Sequence, residues 1–90
     1  MDLGLKGKQA IVTAASRGLG LATAQSLANE GVHVTMNARS EGPLREAAEK
    51  IRATCGVEVT PVAADFNESE GRAAILEAAG EVDIVVSNPG

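Results

Sequence analysis

Ninety residues limit the chain to one domain with a modest core, and a 44% hydrophobic content excludes ordinary disorder. Twelve acidic against eight basic side chains leave a formal net charge of −4, which argues against a nucleic-acid partner because phosphate binding needs concentrated Lys and Arg. Aromatic residues reduce to Phe66, with no Trp and no Tyr, so these residues hold no phenolic acid or base. Met1-Asp2-Leu3-Gly4-Leu5-Lys6 lacks the apolar stretch of a signal peptide. No later run is long and apolar enough to suggest a membrane span.

Gln9–Thr13 (QAIVT) opens the structured part as a strand, rich in Val, Ile and Thr like the three strands that follow. A glycine-rich turn leads into a helix from about Arg17 to Glu30. Its inner face carries Gly20, Ala24, Leu27, Ala28 and Gly31, small enough to lie close on a sheet, and Gly31 is a natural stop. The second strand is Val32–Met36 (VHVTM). A second helix starts after Ser40-Glu41-Gly42-Pro43, with a capping residue and a proline suited to a first turn. Leu44, Ala47, Ala48, Ile51 and Cys55 line it, and Gly56 ends it. Val57–Val62 is the third strand, and Pro61 within it predicts a sheet edge, because proline cannot donate to a ladder. The third helix is expected after Asn67 as N-cap, with Glu68 and Glu70 at its positive end, a stripe of Ala73, Leu76 and Ala79, and Gly80 closing it. Asp83–Ser87 (DIVVS) is the fourth strand.

Alternation β-α-β-α-β-α-β predicts an α/β parallel sheet with right-handed crossovers and helices on both faces. A strand order 3-2-1-4 puts Pro61 at an edge and a topological switch between strands 1 and 4, where α/β sheets bind ligands. Thr13-Ala14-Ala15-Ser16-Arg17-Gly18-Leu19-Gly20 stands at that switch. A strand running through glycines into a helix N-terminus aims free N–H groups and the helix dipole at an anion such as a pyrophosphate. A tight structural turn is the plainer reading of the same residues. A P-loop is excluded, since no Gly-Lys-Ser/Thr follows.

The chain resembles the short-chain dehydrogenase/reductase family along its whole length. Thr13–Gly20 matches that family's Thr-Gly-x-x-x-Gly-x-Gly except at Ala14. Ser87-Asn88-Pro89-Gly90 stands where the family has Asn-Asn-Ala-Gly, with Asn88 and Gly90 matching. Ala64-Asp65-Phe66 fits a segment whose Asp contacts an adenine ring. Within the family it looks most similar to 3-oxoacyl-acyl-carrier-protein reductases. The resemblance implies a Rossmann-type doubly wound fold, of which residues 1–90 are the first four strands and three helices, the dinucleotide-binding part of a single domain. It implies cofactor contacts from Thr13, Ala15, Ser16, Arg17, Gly18, Leu19, Arg39, Ser40, Ala64, Asp65, Phe66, Asn88 and Gly90. Ala14 departs at the tightest point of the turn, tolerable if φ there is negative. Pro89 removes one N–H, and the third helix is about one turn short for the family.

Strand 2 ends Met36-Asn37-Ala38-Arg39-Ser40. NAD-selective dinucleotide folds place an acid at the end of that strand, whereas an Arg nearby accommodates a 2′-phosphate. Ala38 occupies the acid's position, while Arg39, Ser40 and Arg17 suit a phosphate dianion, so NADP(H) is expected rather than NAD(H). Ordinary solvated surface charges are the alternative for both arginines. His33, between two valines and without a ligand cluster, reads as a packing residue, and Cys55 as a small apolar core residue. Glu41, Glu46, Glu49, Glu58, Lys6 and Lys8 read as solvated, and no carboxylate pair suggests acid–base work.

The family's reaction is hydride transfer between nicotinamide and a carbonyl or alcohol. Its Ser, Tyr and Lys catalytic groups lie beyond the fourth strand, so no catalytic residue is assigned, and no metal. The apolar fourth strand predicts burial on both faces and a neighbour at its outer edge. Expected partners are the dinucleotide, a small carbonyl or acyl-thioester substrate in a longer parent protein, and a second copy or complementing chain. The leading expectation is the cofactor-binding segment of an NADP(H)-dependent oxidoreductase. A non-catalytic nucleotide-binding module and an unrelated α/β domain are the alternatives. A cytoplasmic setting is expected, and the single cysteine, unable to form an internal disulfide, fits a reducing one.

Overall fold

A computed structural model describes residues 4–88, so Met1, Asp2, Leu3, Pro89 and Gly90, with the expectations placed on them, lie outside the described residues. The elements are β1 (Gln9–Val12), α1 (Gly18–Asn29), β2 (His33–Ala38), α2 (Glu41–Thr54), β3 (Val59–Ala63), α3 (Ser69–Ala79) and β4 (Ile84–Val86). All pairings are parallel and the sheet order is β3-β2-β1-β4, as the alternation predicted. Pro61 sits in the edge strand β3, opposite Met36.

Side chains alternate between two faces of the sheet. Ala10, Val12, Val34, Met36 and Ala38 face α1 and α2 and join Ala24, Ala28, Leu44, Ala48 and Ile51 in the larger core. Ile11 faces the other way, against Ile75 and Ala79 of α3, with Val62, Ala64, Phe66 and Val82 around them. Among the described residues no helix is long and apolar enough to cross a membrane.

The helix ends explain themselves locally. Gly31 adopts φ +84°, and its N–H bonds the Ala28 carbonyl while the Val32 N–H bonds Leu27, so orphan carbonyls of α1 are satisfied by a six-residue closure. Pro43 is the third residue of α2, where an N–H has no intrahelical partner to lose. Three expectations need correction. Ser40 is the N-cap of α2, but its side chain makes no capping bond. Asn67 is not the N-cap of α3. Its N–H is held by Asp65 Oδ1 at 2.8 Å, and the helix starts two residues later behind Glu68. The apolar stripe of α3 is also out of phase: Ile75 and Ala79 are buried, whereas Leu76 is 55% exposed and Ala73 is exposed.

Strand boundaries shift too. β2 runs on to Ala38, because its ladder with β3 continues through Asn37 opposite Val62 and Ala38 opposite Ala63. β4 is an edge strand with Val85 57% exposed, so burial on both faces is not met among the described residues. Asp83 precedes it and ties it to β1, its carboxylate accepting the Gln9 N–H at 2.9 Å while its own N–H donates to the Gln9 carbonyl.

Candidate functional site

The carboxyl ends of β1, β2, β3 and β4 open into one cleft of about 960 Å³. Its first wall is the turn after β1. The Thr13 N–H donates to the Val86 carbonyl at 3.0 Å. Thr13 Oγ1 accepts the Asn88 N–H, and the Thr13 carbonyl accepts Asn88 Nδ2, both at 2.9 Å. Two steps on, the Ala15 N–H donates to the Asn37 carbonyl at 2.9 Å. Ala14, between these pinned groups, has φ +50°, in the left-handed region that disfavours a Cβ. The negative φ under which alanine is tolerated is therefore not the geometry adopted.

Helix α1 starts immediately behind this turn. A Cβ at Gly20 would stand 2.0 Å from the Ala14 carbonyl oxygen, so only glycine lets the helix approach so closely. The first intrahelical bond is Leu21 N–H to the Arg17 carbonyl, and no side chain caps the helix. The amides of Gly18, Leu19 and Gly20 are thus without intrahelical partners. Gly18, at φ +60°, has open space where a side chain would stand. The result is a backbone concavity of N–H donors at a positive helix end.

The opposite wall follows β2 and β3. Arg39 and Ser40 lead from β2 into α2, and neither Arg39 nor Arg17 makes an ion pair among the described residues. Ala64, Asp65, Phe66 and Asn67 follow β3. This loop is braced by Asp65, whose carbonyl accepts the Glu68 N–H at 3.1 Å, and by Arg72, which donates to the Phe66 carbonyl at 3.1 Å. Gly71 lets α3 press on the loop, since a Cβ there would meet the Asp65 oxygen at 2.0 Å.

Of the residues expected from the sequence, Thr13, Ser16, Arg17, Gly18, Leu19, Arg39, Ser40, Ala64, Asp65, Phe66 and Asn88 line this cleft. Ala15 does not: it is fully buried and its N–H is engaged by Asn37. Gly90 lies outside the described residues. Asn37, Pro43 and Asn67 line the cleft without having been expected there. Their common signal is position, each lying in or within a few residues of the carboxyl end of β2 or β3.

His33 and Cys55 lie away from the cleft. His33 Nδ1 accepts the Glu58 N–H at 3.0 Å, a satisfied histidine between two strands. Cys55 is half-buried just past α2, packed on the core, yet its thiol also donates to Asn29 Oδ1 and accepts from Gln25 Nε2, which is more polar than a simple core residue.

Residues 8–90 match the family model described as short chain dehydrogenase. A 3-dehydrosphinganine reductase of Arabidopsis thaliana is 35% identical over 96% of this chain and 26% of its own length. An uncharacterized oxidoreductase of Bacillus subtilis is 38% identical over 100% of the chain and 34% of its own length. Among solved structures, L-sorbose reductase from Gluconobacter frateurii, complexed with NADPH and L-sorbose, superposes with a TM-score of 0.95 at 41% identity, over 100% of this chain and 36% of that one. A metagenomic short-chain oxidoreductase in complex with NADP gives a TM-score of 0.83 at 39% identity, over 96% of this chain and 40% of that one. The chain thus spans roughly a quarter to two fifths of the length of these relatives.

Proposed function

Because the chain belongs to the short chain dehydrogenase family, we propose that it binds NADP(H) as the cofactor-binding part of an oxidoreductase acting on carbonyls or alcohols. The observation that carries this reading is the pairing of an uncapped helix N-terminus with two arginines that make no ion pair among the described residues, at a strand end that bears Ala38 in place of an acid. Ser16, Arg17 and the amides of Gly18 and Leu19 hold the pyrophosphate. Arg39 and Ser40 take the 2′-phosphate, where a guanidinium offers two parallel donors. Ala64, Asp65 and Phe66 take the adenine. A dinucleotide held by these residues would bring a nicotinamide able to give a hydride to a carbonyl carbon or take one from an alcohol. The chain contains no tyrosine, and its residues are assigned dinucleotide binding only.

Titration of the chain with NADPH and NADH, with and without Arg39→Ala, tests this. NADPH is expected to bind the tighter. Arg39→Ala is expected to weaken NADPH by about tenfold or more, the worth of a charge-assisted hydrogen bond, and NADH by less than about twofold. Equal losses for the two cofactors refute the assignment. A second reading, a nucleotide-binding module that relies on a partner chain, is favoured by the exposed edge of β4 and its Val85. A defined complex containing a partner chain, seen in sedimentation together with NADPH binding and no reductase activity, would select it.

A further inference from the structure

Asn37 was not expected at the site, yet it touches both walls. It is 2% exposed and lies opposite Val62 in the β2–β3 register. Its backbone carbonyl accepts the Ala15 N–H at 2.9 Å, on the side of β1. Its side chain reaches the other way, Nδ2 donating to the carbonyls of Val62 and Ala64, each at 3.0 Å. Ala15 directly precedes Ser16-Arg17-Gly18 of the glycine turn. Ala64 directly precedes Asp65-Phe66-Asn67 of the opposite wall. Ala64 is gripped twice, since its N–H also donates to the Ala38 carbonyl at 3.1 Å. A buried amide that donates to two carbonyls is costly to replace, because an apolar substitute leaves both acceptors without that donor.

We infer that Asn37 is a positioning residue: it fixes the Asp65–Asn67 wall relative to the glycine turn, and so sets the affinity for the adenosine half of the dinucleotide while leaving the pyrophosphate half unchanged. The asymmetry follows from its bonds. The bond to the glycine turn comes from the backbone and survives any substitution, whereas both bonds to the β3 side come from the side chain. The inference rests on the dinucleotide reading for its ligand, but not for its structural content.

The test compares Asn37→Ala with Ile51→Val, which loosens the core beneath α2 away from the cleft. Should Asn37→Ala fail to fold, Asn37→Ser takes its place, since a hydroxyl carries one proton and cannot serve two carbonyls. NADPH and inorganic pyrophosphate are titrated calorimetrically, and amide exchange is followed by NMR without ligand. Asn37→Ala is expected to weaken NADPH about tenfold and pyrophosphate less than about twofold, with Ile51→Val moving neither by more than about twofold. Exchange is expected to quicken at Ala64, Asn67 and Glu68 and not at Ala15. An equal loss for both ligands, or a loss for neither, overturns the inference. If the unsubstituted chain binds no NADPH, the dinucleotide reading falls instead, and exchange alone decides: selective quickening supports the role of Asn37, and a uniform change or none overturns it.

Discussion

Replacing Ala14 by glycine should make this fold more stable, against the usual effect of adding a glycine. Ala14 is held at φ +50° by its neighbours: Thr13 is bonded to Val86 and Asn88, Ala15 to Asn37, and its own carbonyl lies against Gly20. A left-handed conformation costs a residue with a Cβ about 1–2 kcal/mol. Glycine avoids that cost but adds unfolded-state freedom worth about 0.4–1 kcal/mol. The net gain lies between about 0 and 1.6 kcal/mol, and its midpoint near 0.8 kcal/mol raises Tm by roughly 3–6 °C in a domain of this size. Thermal unfolding followed by circular dichroism measures it. Ala15→Gly is the control, since Ala15 is fully buried and is not among the residues at positive φ. Losing its methyl and gaining the same freedom should cost about 1–2 kcal/mol. A Tm for Ala14→Gly below that of the unsubstituted chain would refute the strain argument.

Two more substitutions test the packing around the site. Gly20→Ala places a Cβ 2.0 Å from a backbone oxygen that cannot swing away, so the turn or helix must move; a loss of about 1–3 kcal/mol is expected from urea unfolding. In α3, Ile75→Ala should lose about 2–5 kcal/mol, whereas Leu76→Ala, on the exposed side, should lose less than about 1 kcal/mol. The reverse order would restore the stripe first expected for that helix.

The strand–helix alternation was legible because each strand is a compact run of β-branched residues and each helix ends at or near a glycine. Pro61 gave the sheet edge for a reason internal to one residue. The phase of α3 was not legible. Its alanines fit either side of a helix, and the close approach of Gly71 to the Asp65 carbonyl six residues earlier is a backbone contact that periodicity does not reveal. The length of β2 was understated for a related reason. Asn37 reads as a polar residue at a strand end, and only the carbonyls of Val62 and Ala64 make its burial acceptable. The cleft itself was largely legible, because the resemblance rests on residues at strand ends, where topology gathers them. Ala15 fell outside it because a neighbouring strand claims its amide.

The hydrogen bonds at the strand ends have an electrostatic consequence. A parallel sheet ends in a row of carbonyl oxygens, each carrying partial negative charge toward whatever sits above it. Here the Thr13, Asn37, Ala38, Val62 and Ala64 carbonyls each accept an N–H from Asn88, Ala15, Ala64 or Asn37. The floor of the cleft is therefore less negative than bare strand ends would leave it, and the field an arriving anion meets is set by the helix amides and the two arginines working against the Asp65 carboxylate.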